Sequence, residues 1–222
     1  RHRRMLTELL MTDQPAMNHD ARETTTADNQ LFDLARTLGV TTSRWFSGNA
    51  REHDESSPVI AVDHQACILC DRCVRACDEI QSNEVIGRTG KGYHTRIGFD
   101  LDVPMGRSTC VSCGECAAVC PTGALTNKPI SVPLQPRVRL KQVDSVCPYC
   151  GVGCALSFQV DPQVNQIAYV EGRDGGSNHW RLCVKGRYGF DYTSHVQRLT
   201  QPLIRRPEYF PKGALSSYVR GD

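Results

Sequence analysis

The sequence predicts an α+β protein with a helical N-terminal segment, a middle domain that carries a duplicated cysteine motif, and a small β-rich domain. Three observations carry this prediction. Apolar residues recur at helical spacing ahead of position 40, whereas apolar and polar residues alternate beyond position 154, as they do in strands. All twelve cysteines lie between positions 67 and 183. The first eight repeat one pattern 43 residues apart, which indicates an internal duplication.

The N-terminal segment is predicted to contain two helices. An apolar stripe indicates the first helix, at Met5-Leu6 and Leu9-Leu10. In the second helix apolar residues return every three or four positions, from Leu31 to Leu38, and Gly39 is a natural C-cap. Residues 47–58 are mostly polar, and we expect them to form an exposed linker.

Further along the chain, short runs rich in apolar residues predict five strands. They are expected at residues 59–62, 84–88, 93–99, 155–160 and 166–170. The second and third of these strands should form a hairpin that turns at Gly90-Lys91-Gly92. Three prolines, at positions 129, 133 and 136, mark a stiff connector before the last two strands. A short helical stretch is expected over residues 183–192, and an irregular tail from residue 200.

Composition excludes several functional classes. The chain has 26 Lys and Arg against 24 Asp and Glu, a net charge of +2, so we expect no nucleic-acid partner. No run of apolar residues is long enough to span a membrane. Cysteines spaced two or three residues apart are better placed to converge on one metal than to form disulfides. We therefore expect a reducing, cytoplasmic location, and a first residue of Arg1 leads us to expect a processed or partial chain.

The first eight cysteines have the spacing C-x2-C-x2-C-x3-C twice over. Three thiolates on one turn can cap one face of a cubane cluster, while the fourth, one helical turn further on, points elsewhere. In two-cluster ferredoxins that fourth cysteine ligates the other cluster. Carried over to this sequence, the ferredoxin pattern assigns one [4Fe–4S] cluster to Cys67, Cys70, Cys73 and Cys120. It assigns another [4Fe–4S] cluster to Cys110, Cys113, Cys116 and Cys77.

Zinc is the alternative metal for these cysteines. A structural zinc site takes its ligands from paired C-x2-C knuckles, so a three-plus-one pattern in tandem favours iron–sulfur clusters. The last four cysteines follow a different design, C-x2-C-x3-C and then a cysteine 29 positions later. Two-plus-two ligation of zinc fits this spacing as well. Spacing alone favours a cluster at the last four cysteines and leaves zinc open.

The last four cysteines lie in motifs that resemble a known family. C-P-Y-C-G-V-G-C, which ends at Cys154, and C-V-K-G-R, which ends at Arg187, are similar to the N-terminal iron–sulfur module of molybdopterin-dependent oxidoreductases. The whole arrangement more narrowly resembles the catalytic (alpha) subunit of NAD-linked formate dehydrogenases. The resemblance implies a third [4Fe–4S] cluster, held by Cys147, Cys150, Cys154 and Cys183.

The resemblance also implies cofactors and partners. In that family the third cluster lies beside a molybdenum or tungsten bis-pterin guanine dinucleotide, which we expect in domains outside this chain. Lys185 would bridge this cluster and the pterin by hydrogen bonding and charge. Electrons from formate would then pass through the third cluster and the ferredoxin-like pair to a flavin and iron–sulfur subunit that reduces NAD. We expect no catalytic residue in this chain, which belongs to an enzyme but lacks the catalytic centre.

Members of that family carry one more cluster upstream, bound by one His and three Cys. The motif aligns here with Asp13-Gln14-Pro15, which places the four ligand positions at Gln14, Asn18, Ala21 and Ala27. None of these residue types ligates a cubane cluster. We therefore predict that this upstream site is empty.

These patterns divide the chain into four parts. Residues 1–57 are expected to form a helical segment with the degenerate His/Cys cluster site, and residues 58–139 the two-cluster ferredoxin-like domain. Residues 140–199 are expected to form the molybdopterin-oxidoreductase [4Fe–4S] domain. Residues 200–222 would begin, or link to, an absent pterin-binding domain.

Three alternative functions stay open at this stage. The large iron–sulfur subunit of respiratory complex I shares the third motif, although it normally lacks the complete second ferredoxin set. An iron-only hydrogenase shares the ferredoxin pair but lacks C-V-K-G-R. A zinc-knuckle interaction module without electron transfer would need no iron at all, and the near-neutral charge makes it the weaker alternative.

Overall fold

The computed structural model describes residues 1–17, 22, 25–26, 28–48, 50–206 and 208. In the N-terminal segment it confirms the two expected helices, α1 (His2–Leu10) and α2 (Gln30–Thr37). The side chain of Asn29 caps α2 by accepting a hydrogen bond of 3.1 Å from the Phe32 amide. Gly39 follows the helix with φ of +64°, as expected of a glycine just beyond a helix end.

The middle of the chain contains a three-stranded antiparallel sheet. It is formed by β1 (His53–Asp54), β2 (Ile60–Asp63) and β5 (Leu125–Asn127), in the order β1-β2-β5. The expected strand near residue 60 is therefore confirmed. The prediction of a linker over residues 47–58 is wrong in part, because β1 pairs with β2 there.

Two short helices and a hairpin complete this middle part. The helices are α3 (Arg72–Arg75), which continues as a π-helical turn, and α4 (Glu115–Val119). The expected hairpin is confirmed as β3 (Ile86–Thr89) paired with β4 (Arg96–Phe99). One core joins the sheet, the hairpin and the two helices. Four cysteines lie in this core alongside aliphatic side chains, namely Cys73, Cys77, Cys116 and Cys120.

The last part of the chain contains a second antiparallel sheet, β6 (Lys141–Val146), β7 (Ala155–Asp161) and β8 (Gln166–Gly172). It confirms the two expected strands and adds β6, whose residues are almost all exposed. A short helix, α5 (Val184–Tyr188), packs against β8 and ends four residues before the predicted end, near Gly189. A second, smaller core forms here from Cys147, Leu156, Val170, Leu182 and Phe190.

The described part of the tail is irregular and exposed from residue 200 to residue 206, as expected. Among the described residues, no helix combines the length and the apolar character that crossing a membrane requires. The four-part division of the chain stays a prediction.

Candidate metal centres

The two cysteine loops of the middle part have the same backbone conformation. Leu69 and Asp71 in the first loop have φ of 54° and 60°, and Ser112 and Gly114, which occupy the same places 43 positions later, have φ of 53° and 78°. Residues other than glycine rarely adopt this left-handed conformation. Its recurrence in both loops shows that the sequence duplication is also a structural duplication.

Each loop directs a backbone amide at the sulfur of its own first cysteine. The Leu69 amide donates to Cys67 Sγ at 3.5 Å, and the Ser112 amide donates to Cys110 Sγ at 3.4 Å. Hydrogen bonds to sulfur stabilise the thiolate form, and they help set the potential of an iron–sulfur cluster. The loops are therefore built to hold negatively charged sulfur.

The structure brings the first eight cysteines together in two sets, each of which mixes the two loops. One cavity is lined by Cys67, Cys70, Cys73 and Cys120. A second cavity is lined by Cys77, Cys110, Cys113 and Cys116. In each set three cysteines come from one loop and the fourth comes from the other loop, which is the exchange expected from the ferredoxin pattern.

The thiols of the first set are buried close to one another. Burial, followed by the nearby thiols of Cys120, Cys67 and Cys70, raises the pKa of Cys73 to about 12. Burial also raises the pKa of Cys67, with smaller contributions from Cys120 and Cys70. A thiolate ligand must lose its proton, so these sites need a positively charged partner that offsets the cost of burying several thiolates together.

The second set behaves in the same way and lies beside the first. Burial raises the pKa of Cys116 well above its usual value, and the thiols of Cys113, Cys73 and Cys110 add to the rise. Cys73 belongs to the first set, so its influence on Cys116 shows that the two cavities are neighbours. For Cys110, burial dominates and the Cys77 thiol contributes from the other loop.

The third group of cysteines converges at the edge of the second sheet. Burial raises the pKa of Cys154, and the thiols of Cys147, Cys150 and Cys183 add to it. The Cys147 amide donates to the Cys154 carbonyl at 2.8 Å and closes the loop between β6 and β7. Cys147 is buried, whereas Cys150 and Cys183 are exposed.

The positions of the cysteine sulfurs can be compared with what a single zinc ion and an iron–sulfur cluster each require. A single zinc ion draws each sulfur to about 2.3 Å from one point. Among the described residues, no group of three or more His, Cys, Asp or Glu side chains is placed to hold a single ion. A cubane binds each sulfur through a different iron, so it fits thiols that line a cavity without touching one centre. The eight cysteines that line the two cavities therefore fit clusters better than single ions.

The predicted empty site is described only at Gln14. Its amide nitrogen donates to the Ala66 carbonyl at 3.1 Å, directly before Cys67. The other three positions, Asn18, Ala21 and Ala27, lie outside the described residues. That this site is empty stays a prediction.

Sequence reasoning missed several residues around the cysteines. The Thr122 hydroxyl lies 3.7 Å from Cys120 Sγ and donates to the Ala66 carbonyl at 2.8 Å, which ties the two loops together. Arg88 forms an ion pair with Asp71, which has the left-handed conformation, and donates a hydrogen bond of 2.8 Å to the Leu69 carbonyl. Hydroxyl and guanidinium groups at such sequence separations give no local signal, so only the fold reveals them.

Two family models match this chain, and together they span all twelve cysteines. Residues 57–126 match the ferredoxin-like domain of NADH-quinone oxidoreductase subunit 3. Residues 140–195 match the molybdopterin oxidoreductase Fe4S4 domain. The first match covers the two exchanged cysteine sets, and the second covers the third group, so iron–sulfur clusters are indicated at both.

Relatives at moderate identity agree with these matches. The chain is 34% identical over 195 aligned positions to a protein named "Probable oxidoreductase YjgC" from Bacillus subtilis (strain 168), a match that covers 71% of this chain and 20% of that protein. It is 36% identical over 187 positions to a "Putative formate dehydrogenase" from Staphylococcus aureus (strain USA300), which covers 67% of this chain and 19% of the relative. The chain thus spans about a fifth of the length of these relatives.

A solved structure shares part of the fold. It is titled as the crystal structure of an NAD+-reducing [NiFe]-hydrogenase in the H2-reduced state, and it superposes with a TM-score of 0.51 at 29% identity. The match covers 57% of this chain and 54% of the other. Residues 57–126 therefore belong with ferredoxin-like domains, and residues 140–195 with the Fe4S4 domains of molybdopterin oxidoreductases.

Proposed function

We propose that this chain is the electron-transfer section of a formate dehydrogenase, and that it holds three [4Fe–4S] clusters. The observation that carries the proposal is the pair of cavities in which three cysteines of one loop meet the fourth cysteine of the other. Such an exchange has no use in a single-ion site, and it is the ligation pattern of two-cluster ferredoxins.

The chain's own residues supply the environment of the clusters. A [4Fe–4S] cluster supplies one-electron redox chemistry, and its potential depends on burial and on hydrogen bonds to sulfur. Cys73 and Cys116 are 7% and 5% exposed, so each of the first two sites has a side shielded from water, although Cys70 of the first site is exposed. The Leu69 and Ser112 amides provide hydrogen bonds to sulfur.

Lys185 is the residue of this chain that we assign to a pterin cofactor. It lies on α5, two positions after Cys183, with its side chain exposed. An exposed ammonium beside the third cysteine group can reach a group supplied from outside this sequence. We propose that this group is a molybdenum or tungsten bis-pterin guanine dinucleotide, and that electrons enter the third cluster there.

We further propose that electrons leave through a flavin and iron–sulfur subunit that reduces NAD. The relative named as a formate dehydrogenase supports formate as the donor. The fold shared with an NAD+-reducing hydrogenase supports a multi-subunit, NAD-linked complex. In this scheme Cys147, Cys150, Cys154 and Cys183 would hold the cluster that receives electrons first, and the eight ferredoxin-like cysteines would hold the two that follow.

A second candidate function is favoured by one observation. The middle domain matches a ferredoxin-like domain of NADH-quinone oxidoreductase, so the chain could carry electrons that originate from NADH rather than from formate. The large iron–sulfur subunit of complex I is the example of this candidate. The cysteine ligands are the same in both, and only the direction and source of the electrons differ.

An experiment on the chain together with the gene sequence that follows it separates the two candidates. The protein is prepared without oxygen, and its brown absorbance is followed after formate or NADH is added. We expect formate to bleach the absorbance of the parent protein. We expect no bleaching by formate in the Lys185→Ala variant, at unchanged iron content. Reduction by NADH in the presence of a flavin partner, with no response to formate, would favour the second candidate and overturn the first.

A further inference from the structure

The short helix α5 belongs to two cores at once. Tyr188, near its end, is 7% exposed and lies in the core of the middle domain. Leu182 and Phe190, on either side of the helix, lie in the core of the last domain. Ile130, from the connector, packs against both cores. The junction between the two domains is therefore packed around α5.

A buried ion pair crosses this junction. Arg187 on α5 and Glu115 on α4 are 4% and 5% exposed, and the guanidinium donates to Glu115 Oε1. Arg187 Nε also donates to the Cys113 carbonyl at 2.9 Å, and Glu115 Oε1 accepts from the Leu182 amide at 3.0 Å. The charged pair therefore attaches one cysteine loop of the middle domain to the segment that carries Cys183.

The second cysteine loop is shaped to receive α5. A Cβ added at Gly114 would collide with Arg187 Cδ and with the Tyr188 hydroxyl. Asp71 fills the same place in the first loop, where its side chain pairs with Arg88. The Tyr188 hydroxyl continues past the loop and donates to Asn127 Oδ1 at 2.7 Å on β5. The two loops thus differ where α5 docks.

The same helix contacts cysteines of both sites. A Cβ at Gly186 would lie 3.6 Å from Cys147 Sγ of the third group. On the side of the second set, Arg187 Nε donates to the Cys113 carbonyl at 2.9 Å, and the Tyr188 hydroxyl lies where a Cβ at Gly114 would be. One turn of helix therefore separates the third group from the second set.

We propose that Glu115 and Arg187 are positioning residues that fix the separation of the second and third clusters, so that an electron crosses between them along α5. The inference rests on the proposed function. In the step, one cluster is oxidised by one electron and its neighbour is reduced by the same electron, with no proton transferred and no bond broken. A buried arginine suits this task because its planar guanidinium holds two acceptors in fixed directions, here the Glu115 carboxylate and the Cys113 carbonyl.

The experiment compares cluster-to-cluster magnetic coupling in matched variants. The chain is loaded with iron and sulfide, reduced fully, and examined by pulsed electron paramagnetic resonance for the interaction between the second and third clusters. The variants are Arg187→Lys, which keeps the charge and loses the fork, Glu115→Gln, and Arg187→Met. The control is Arg36→Met, which removes an exposed arginine paired with Asp33 on α2. Iron content and thermal unfolding are measured on every sample.

The expected result is a loss or broadening of the coupling in Arg187→Lys and Glu115→Gln at unchanged iron content, with the control like the parent chain. If Arg187→Met fails to hold iron, the two milder variants decide. Unchanged coupling in both of them, with all clusters present, overturns the positioning role. A parent chain that holds zinc or no metal would instead overturn the proposed function, so the two failures are distinct.

Discussion

The ferredoxin-like sites and the third site each use four cysteines, but they bury them to different extents. In the first two sites five of the eight cysteines are buried and only Cys70 is exposed, and six of the eight lie in or against one continuous core. In the third site only Cys147 is buried, while Cys150 and Cys183 are exposed. The first two sites exchange a cysteine, whereas the third takes all four of its cysteines from one domain.

This difference separates two properties of a cluster site. Cysteine spacing decides which sulfurs converge, and the surrounding core decides how well they are protected and how strongly the sites depend on one another. Because Cys77 and Cys120 each serve the opposite loop, damage to one ferredoxin-like site should reach the other. Loss of the third cluster should leave the two ferredoxin-like clusters in place, and loss of those two should leave the third in place.

The largest expected effect comes from breaking the exchange. Cys120→Ser should remove the same spectral signal as Cys70→Ser, whereas Cys77→Ser should remove the other signal, each with a loss of about four irons. Because the two sites share a core, each variant should also lower the thermal unfolding temperature. Iron analysis and paramagnetic resonance of the reduced chain measure this. If Cys120→Ser and Cys77→Ser removed the same signal, the exchanged ligand sets would be wrong.

A smaller effect is expected at the third site. Cys150→Ser should remove about four irons and leave both ferredoxin-like signals intact. Cys150 is exposed and lies outside both cores, so the substitution should change the unfolding temperature of the middle domain little. Differential scanning calorimetry alongside the iron analysis tests this. Collapse of all three signals would show that the third site does not stand alone.

The same contrast predicts the order of cluster loss in the parent chain. A chelator or air should reach the third site first, because two of its four cysteines, Cys150 and Cys183, are exposed, whereas Cys70 is the only exposed cysteine among the eight of the other two sites. The measurement is the time course of each reduced-state signal after EDTA is added under mild oxidation. Equal rates for all three signals would contradict the account of burial.

The smallest effects compare the two loops at equivalent positions. Gly114→Ala puts a side chain into the left-handed conformation and against Arg187, and should cost about 1–3 kcal/mol of unfolding free energy. Asp71→Gly relieves the strain of the left-handed conformation but loses an exposed ion pair with Arg88. The relief and the loss are each worth about 1 kcal/mol or less, so the unfolding free energy should change little. Denaturant unfolding measures both. Equal losses would mean that α5 does not dock on the second loop as described.

Much of this arrangement could be predicted from the sequence because it depends on local spacing. The helices near Leu9 and Leu34, the hairpin that turns at Gly90 and the convergence of the cysteines follow from periodicity and turn residues. Strand β6 escaped prediction because its residues are almost all exposed, so no alternation marks it. Helix α5 is shorter than predicted because the chain leaves the helix at Gly189.

The contacts between the domains could not be predicted. Glu115 and Arg187 are 72 residues apart, and each is of a residue type that usually lies on the surface. Only the tertiary fold brings them together, and both are buried where they meet. The same holds for Thr122, whose hydrogen bond to Ala66 spans 56 residues. Sequence spacing specified the cysteine sets, and tertiary contacts set how those sets are placed.

The most direct test of the account is a metal and sulfide analysis of the chain purified without oxygen, combined with paramagnetic resonance after reduction. Three [4Fe–4S] clusters predict about twelve irons and twelve sulfides per chain, with signals from three reduced centres. About sixteen irons would contradict the empty site at Gln14. Zinc in place of iron, with no signal in the reduced state, would contradict the central claim that these cysteines hold redox clusters.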